Sequence, residues 1–177
     1  MKNIVIYYSN NGSNSYLAHK IANELNCEIE EIRPYVDWPF LFWLNVNFGF
    51  RKIKADLAAY DRVFLVGPIW MGKFIVPLRA FVKKYRKKIN KLVFVTCCGS
   101  SYEKKDDKFG HGFVFKEVQE IMQEKCEQCQ AFPIALIIPE DKQEDGEAVM
   151  KTRLNDQTFK GEIQERFDAF IQKMKEK

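Results

Sequence analysis

Residues 4–15 read Ile4-Val5-Ile6-Tyr7-Tyr8-Ser9-Asn10-Asn11-Gly12-Ser13-Asn14-Ser15, five apolar residues running into seven polar or small ones. An unbroken apolar run of that length reads as a strand covered on both faces, as in a parallel sheet. Leu17, Ala18, Ile21, Ala22 and Leu25 follow at the spacing of one helical face. The polar stretch therefore joins the end of a buried strand to the start of a helix. Free backbone N–H groups and the positive end of the helix dipole converge at such a junction, which suits an anion and phosphate in particular. Gly12 lets the chain turn tightly, and Ser9, Asn11, Ser13, Asn14 and Ser15 add neutral donors. With no Lys or Arg among them, a phosphate here is expected to be held by hydrogen bonds and dipole instead of an ion pair. The competing reading is an ordinary polar turn that supplies an N-cap.

Outward from this unit the chain alternates strand and helix. Cys27 to Ile32 alternates apolar and charged residues, as an edge strand does, and Pro34 ends it. Arg62 to Val66 is a second buried strand, followed by the loop Pro68-Ile69-Trp70-Met71-Gly72-Lys73 and a helix from about Val76 to Tyr85. Leu92 to Thr96 is the fourth strand and leads into Cys97-Cys98-Gly99-Ser100-Ser101-Tyr102. Phe113 to Cys126 is expected to be helical, Ala131 to Ile138 to be a fifth strand at an edge because of Pro133, and Ile163 to Met174 to be the last helix. This pattern predicts a right-handed α/β fold, a three-layer sandwich whose five parallel strands run in the order 2-1-3-4-5. Ligands of such sheets bind outside the carboxyl ends of strands one and three, where the three loops should meet.

With 177 residues, no repeats and no linker, residues 1–177 are expected to form a single domain. The hydrophobic share of 46% and charged share of 29% are those of a soluble globular protein, and no run approaches the roughly 18 apolar residues of a membrane span. The first strand begins at once, which leaves no room for a signal peptide, and five cysteines cannot all pair; both suggest reduced thiols and a cytoplasmic location. The net charge of +4 is mild. Much of it sits in Lys83 to Lys88 near a helix end, where the dipole favours cations, so no nucleic-acid partner is expected.

The pattern Tyr-x-Ser-x-x-Gly at Tyr7 to Gly12 resembles the FMN-phosphate loop of the flavodoxin family, whose members usually read Ser-x-Thr-Gly-Asn-Thr. Here Asn11, Ser13 and Asn14 replace Thr, Asn and Thr, each keeping a donor. Val66-Gly67-Pro68-Ile69-Trp70-Met71-Gly72, followed by Val76-Pro77-Leu78-Arg79-Ala80-Phe81, is similar to the flavodoxin-like Gly-x-Pro-x-Trp-x-Gly and Pro-Leu-Arg-x-Phe. The likeness extends to the branch that includes small FMN-dependent reductases. It implies FMN as cofactor, with its phosphate on Ser9 to Ser15 and its ring near Pro68, Ile69, Trp70, Met71 and Gly72. Trp70 would stack on the flavin or cap its edge, and Gly72 would let main chain approach the flavin N5. Thr96, Cys97, Gly99 and Ser100 would line the pyrimidine side, with Tyr102 over the other face. Concave apolar sites with a few polar groups are what such a plate needs.

Other features read more blandly. Cys97-Cys98 and Cys126-Glu127-Gln128-Cys129 are taken as inert thiols; Cys126 is expected to close a helix, and a thioredoxin-type centre would open one. Two separated cysteine pairs without a supporting histidine do not make a zinc site. His111, between two glycines, reads as a solvated loop residue. Seven aromatic residues between Tyr35 and Phe50, in an insertion at about 35–54, are either extra core or a lid, a substrate wall, a dimer contact or a lipid-touching surface. Flavodoxins proper are acidic around the flavin, whereas these loops hold few acids. The expectation is therefore an oxidoreductase that uses NAD(P)H to reduce a quinone-like small acceptor, or else a carrier that exchanges electrons with a redox protein. The rival is a non-enzymatic module that kept the fold and lost FMN.

Overall fold

The computed structural model describes residues 1–99, 110–139, 142 and 145–176. Strand β1 (Asn3–Tyr7) runs between β2 (Glu28–Glu31) and β3 (Arg62–Val66), and β6 (Lys91–Cys98) and β7 (Cys126–Pro133) complete a five-stranded sheet in the order β2-β1-β3-β6-β7. All four pairings are parallel. The two remaining strands, β4 (Ile69–Trp70) and β5 (Lys73–Phe74), form a separate antiparallel hairpin, so the main sheet has the expected 2-1-3-4-5 topology.

Two apolar layers enclose the sheet. On one face α1 (Ser13–Glu24) and α6 (Glu162–Lys175) bring Leu17, Ile21, Ile163 and Phe167 onto Val5, Phe64 and Val93. On the other, α3 (Val76–Tyr85) and α4 (His111–Met122) place Leu78, Phe81, Val114 and Val118 over Ile4, Leu65 and Phe94. Strand β3 is buried at every residue because it has strands on both sides and helices on both faces. Edge strand β2 is half-exposed along its length.

The structure departs from the expected elements in the last third. The fifth strand is Cys126–Pro133, not Ala131 to Ile138; a 3₁₀ turn occupies Ile134–Ile137, and α4 ends at Met122. Apolar content drew the expected strand toward Leu136-Ile137-Ile138. The polar Gln128 and Gln130 belong to the ladder instead, with Glu127 the unpaired residue at a register shift between Cys126 and Gln128, because an edge strand needs only one covered side. Cys126 therefore opens a strand. A short helix, α5 (Gly146–Lys151), follows with Asp145 as N-cap, its Oδ1 accepting from Glu147 N at 2.8 Å and Ala148 N at 3.3 Å. His111 opens α4 as a buried residue with its ring 5.2 Å from Phe115, not as a solvated one.

The aromatic segment divides. Short helix α2 (Pro39–Trp43) and a bridge between Pro34 and Phe50 turn Phe42 and Phe50 into the core, whereas Tyr35, Trp38, Phe40 and Phe48 remain exposed. Among the described residues no helix is long and apolar enough to cross a membrane.

Candidate functional site

At the carboxyl edge of the sheet, three connections enclose a cleft of about 590 Å³, within the range of small-molecule sites. The first is the β1–α1 loop. Gly12 takes φ 94°, a conformation that favours glycine, and precedes α1 without any side-chain cap. The first-turn N–H groups of α1 thus lack a capping side chain, and the positive end of the helix faces the loop. Ser9 Oγ accepts from Gly12 N at 3.2 Å and holds the turn together.

Two of the loop's side chains act as fasteners. Asn14 Oδ1 accepts from Cys97 N at 2.8 Å while Nδ2 donates to Cys97 O at 3.0 Å. Val66 is the last residue of β3 in register with β6, and the Gly67 N–H still reaches Val95 O at 3.0 Å. A continued ladder would next satisfy Cys97, but the chain turns away at Pro68. The Asn14 carboxamide, one acceptor and one donor, stands where that peptide would be. Ser13 Oγ accepts from Leu154 N at 3.1 Å, which ties the loop to the segment after α5.

The second connection is the β4–β5 hairpin. Met71 and Gly72 form its two-residue turn with φ 48° and 70°, the positive pair that matches strand twist in a tight hairpin. Trp70 is held from behind: Phe42 stacks at 6.1 Å and 27°, and Tyr8 meets it edge-on at 6.5 Å. Tyr8 in turn donates to Asp37 Oδ1 at 2.7 Å, and burial, then that carboxylate, push its phenol well above the ordinary value. The aromatic insertion thus supplies both braces of the indole, Phe42 by stacking and Asp37 through Tyr8.

The third is the end of β6, where Cys97, Cys98 and Gly99 form the floor beside Ile134. Burial and then the neighbouring Cys98 push the Cys97 thiol well up, against a hydrogen bond from Ser13 and the charge of Arg153. Cys97 is consequently a neutral packing group at physiological pH. Val149, Met150, Thr152 and Arg153 make the remaining wall. Val149 sits close enough that a Cβ built on Gly99 would lie 3.0 Å from its Cγ1.

Of the residues expected from sequence, Asn11, Ser13, Asn14, Pro68, Ile69, Trp70, Met71, Cys97 and Gly99 line the cleft together. Ser9, Gly12 and Gly72 shape the loops without lining it, Ser15 sits in the first turn of α1 and does not line it either, and Thr96 is buried under the α3/α4 face with its hydroxyl unpartnered. Ser100 and Tyr102 lie outside the described residues. Sequence reading missed Ile75, Ile134 and the whole wall from Val149 to Arg153. The Leu154–Ser13 bond spans 141 positions, and no local pattern signals it. Arg153 and Lys73 are the cations of the lining, which holds no carboxylate among the described residues. An apolar slot with an indole wall, a helix N-terminus and net positive charge suits a flat ligand that carries an anionic group.

Comparison with known proteins agrees with this geometry. No curated protein sequence matches the chain. Among solved structures, a flavoprotein from Lactobacillus acidophilus NCFM in complex with FMN aligns with TM-score 0.58 at 14% identity, covering 73% of this chain and 92% of its own. A flavodoxin from the domain Archaea aligns at 0.54 and 15% identity over 97% of this chain and 95% of its own. The flavodoxin of Streptococcus pneumonia TIGR4 does so at 0.54 and 13%, over 97% and 96%. These likenesses concern the fold. The model of the flavodoxin domain matches residues 46–150, more than half of the chain, starting after the β1–α1 loop and spanning the Trp70 hairpin. The chain belongs to the flavodoxin domain family.

Proposed function

We propose that this protein binds FMN in the cleft and works as a flavoprotein oxidoreductase, reducing a quinone-like small acceptor with electrons from NAD(P)H. The observation that carries the reading is the lining itself: a braced indole at one end, an uncapped helix N-terminus with Arg153 at the other, and no carboxylate between them among the described residues. FMN, when bound, supplies the redox chemistry. The chain's part is placement. Asn11 and the first-turn N–H groups of α1 hold the phosphate, and Arg153 provides the counter-charge that the loop lacks. Trp70, backed by Phe42 and Tyr8, walls the ring and excludes water from that face. The Met71–Gly72 turn offers main chain at the ring edge. Lys73 and Arg153 favour an anionic ligand, which suits an enzyme that takes up hydride more than a carrier kept acidic around its flavin.

A titration of the purified chain with FMN, read by quenching of flavin fluorescence and a rise in Tm, tests the binding. Trp70→Ala is expected to weaken it by about 2- to 10-fold, the worth of an aromatic contact beyond its area. NADPH oxidation with a quinone then tests the activity; turnover only with an added reductase protein would make the chain a carrier. A second reading, a module without cofactor, draws on the commitment of the Asn14 amide to the Cys97 backbone and of the Ser13 hydroxyl to the Cys97 thiol, which takes up two donor groups of the loop. The same titration decides it, since such a module leaves flavin fluorescence and Tm unchanged.

A further inference from the structure

Strand β7 opens on Cys126-Glu127-Gln128-Cys129, at the edge of the sheet opposite the cleft. On a regular strand, side chains three positions apart point to opposite faces. The register here slips between Leu92 and Val93: Cys126 lies opposite Leu92, Gln128 opposite Val93 and Cys129 opposite Phe94. The extra residue, Glu127, is a β-bulge, and it returns Cys129 to the face of Cys126. Both thiols are half-buried against the core under α3 and α4, and their Sγ atoms lie 3.7 Å apart in hydrogen-bonding contact.

The bulge is anchored. Arg62, fully buried, donates from Nε to Glu127 Oε2 at 2.8 Å and from Nη2 to Oε1 at 3.0 Å, and its Nη1 donates to Met174 O at 3.0 Å. The extra residue is thereby fixed toward α6, and the two cysteines toward the other face. Contact with Cys129 favours the Cys126 thiolate and holds its pKa below the ordinary value. Cys27 and Cys97 differ, because burial pushes the first up to about 11 and the second well up.

We infer that Cys126 and Cys129 form a prebuilt dithiol that closes reversibly to a disulfide, with a small-molecule disulfide of the glutathione class as oxidant. The Cys126 thiolate, its proton lost to solvent, attacks one sulfur of the oxidant, forms a mixed disulfide and releases one thiolate. Cys129 then loses its proton and attacks Cys126 Sγ, forming the intramolecular bond and releasing the second thiolate. The two cysteines give up two electrons and two protons; the oxidant takes both electrons and, with two protons from solvent, leaves as two thiols. To bond, the sulfurs close from 3.7 Å to about 2.05 Å.

The test equilibrates the full chain in glutathione buffers of graded ratio, quenches with acid, alkylates with N-ethylmaleimide and maps peptides by mass. The folded chain is expected to link Cys126 to Cys129, with a two-hydrogen mass deficit, at an oxidised-to-reduced ratio at least about tenfold lower than the chain in denaturant requires. Cys129→Ser should accumulate a glutathione adduct on Cys126. Alkylation of both cysteines at every ratio, a disulfide that forms as readily in denaturant, or no adduct in Cys129→Ser overturns the inference.

Discussion

Replacing Asn14 separates architecture from ligand binding, because its carboxamide closes both free groups of Cys97 where β3 has ended. Both residues are buried, Asn14 at 2% and Cys97 at 4% exposure, so water has little access to the groups that Asn14→Ala would orphan. Each unsatisfied buried group costs about 1–3 kcal/mol. For the N–H and C=O of Cys97 together, allowing for relaxation, the loss is about 2–4 kcal/mol. At about 2–4 °C per kcal/mol for a chain of this size, Tm should fall by about 4–16 °C. Asn14→Asp keeps the acceptor for the Cys97 N–H but sets a carboxylate oxygen against the Cys97 carbonyl. It should therefore destabilise at neutral pH and recover as the carboxyl protonates in acid and regains a donor. Thermal melts with and without FMN, beside a fluorescence titration, make the assay. Should Asn14→Ala melt within about 1 °C of the parent while FMN affinity drops more than about tenfold, the amide is a ligand donor and not a fastener of Cys97.

Arg153→Gln removes a cation from the cleft wall; with Arg153 paired to the FMN phosphate as proposed, a charge-assisted bond worth about 1.5–3 kcal/mol is lost, so the FMN Kd should rise about 10- to 100-fold while riboflavin, which has no phosphate, is little affected. An equal loss for both ligands in parallel titrations would remove Arg153 from the phosphate end. Glu127→Ala leaves the fully buried Arg62 guanidinium with the Met174 carbonyl as its remaining hydrogen-bond partner among the described residues, a change expected to cost about 3–5 kcal/mol in urea unfolding. A loss under about 1 kcal/mol would mean that the pair is solvated. Alkaline pH should destabilise the fold: Cys27 is pushed from 9.0 up to about 11 by burial and then Glu28, and Tyr16 from 10.0 up to about 12 by burial and then its bond to Asp156. Both groups bind their protons more tightly when folded, so their contribution is complete below about pH 9 and is lost as pH rises toward 11 and 12. Urea midpoints that stay level across that window, or a Cys27→Ala variant with an unaltered slope, would contradict the assignment.

The sheet was legible because its signal is local. Ile4 to Tyr8, Arg62 to Val66 and Leu92 to Thr96 are apolar runs between helical patterns, and parallel topology leaves few ways to arrange them. The Trp70 segment was legible as a loop from its glycines and proline, but its pairing into the β4–β5 hairpin was not. Strand β7 was not, since its polar half reads as loop and the apolar run beyond it reads as strand; edge position and a bulge override composition. Helix α5 and Arg153 escaped for another reason. Nothing about Arg153 is unusual until the Leu154 N–H meets Ser13, a residue 141 positions away in the sequence.

The same separation of scales explains why the aromatic insertion belongs to the site. An indole at the end of a two-residue strand has no ladder to stiffen it, and β4 and β5 share only two residue pairs. Rigidity must come from neighbours, and Phe42 and Tyr8 provide it from 28 and 62 positions upstream of Trp70. Tyr8 cannot brace freely either: its hydroxyl is anchored by Asp37, inside the insertion. Segment 35–50 therefore acts on the cleft through Phe42, which lines it and stacks on Trp70, and through the contacts from Asp37 to Tyr8 to Trp70, while its exposed Trp38, Phe40 and Phe48 are not among the described residues that line the cleft. Asp37→Ala should loosen Trp70 without touching the lining, and so weaken ring binding less than Trp70→Ala does. Phe42→Ala, which removes a buried ring from both core and cleft, should lower stability by about 3–5 kcal/mol and flavin affinity together. If instead Asp37→Ala weakens flavin binding as much as Trp70→Ala, the carboxylate acts on the ligand directly and not through the tyrosine.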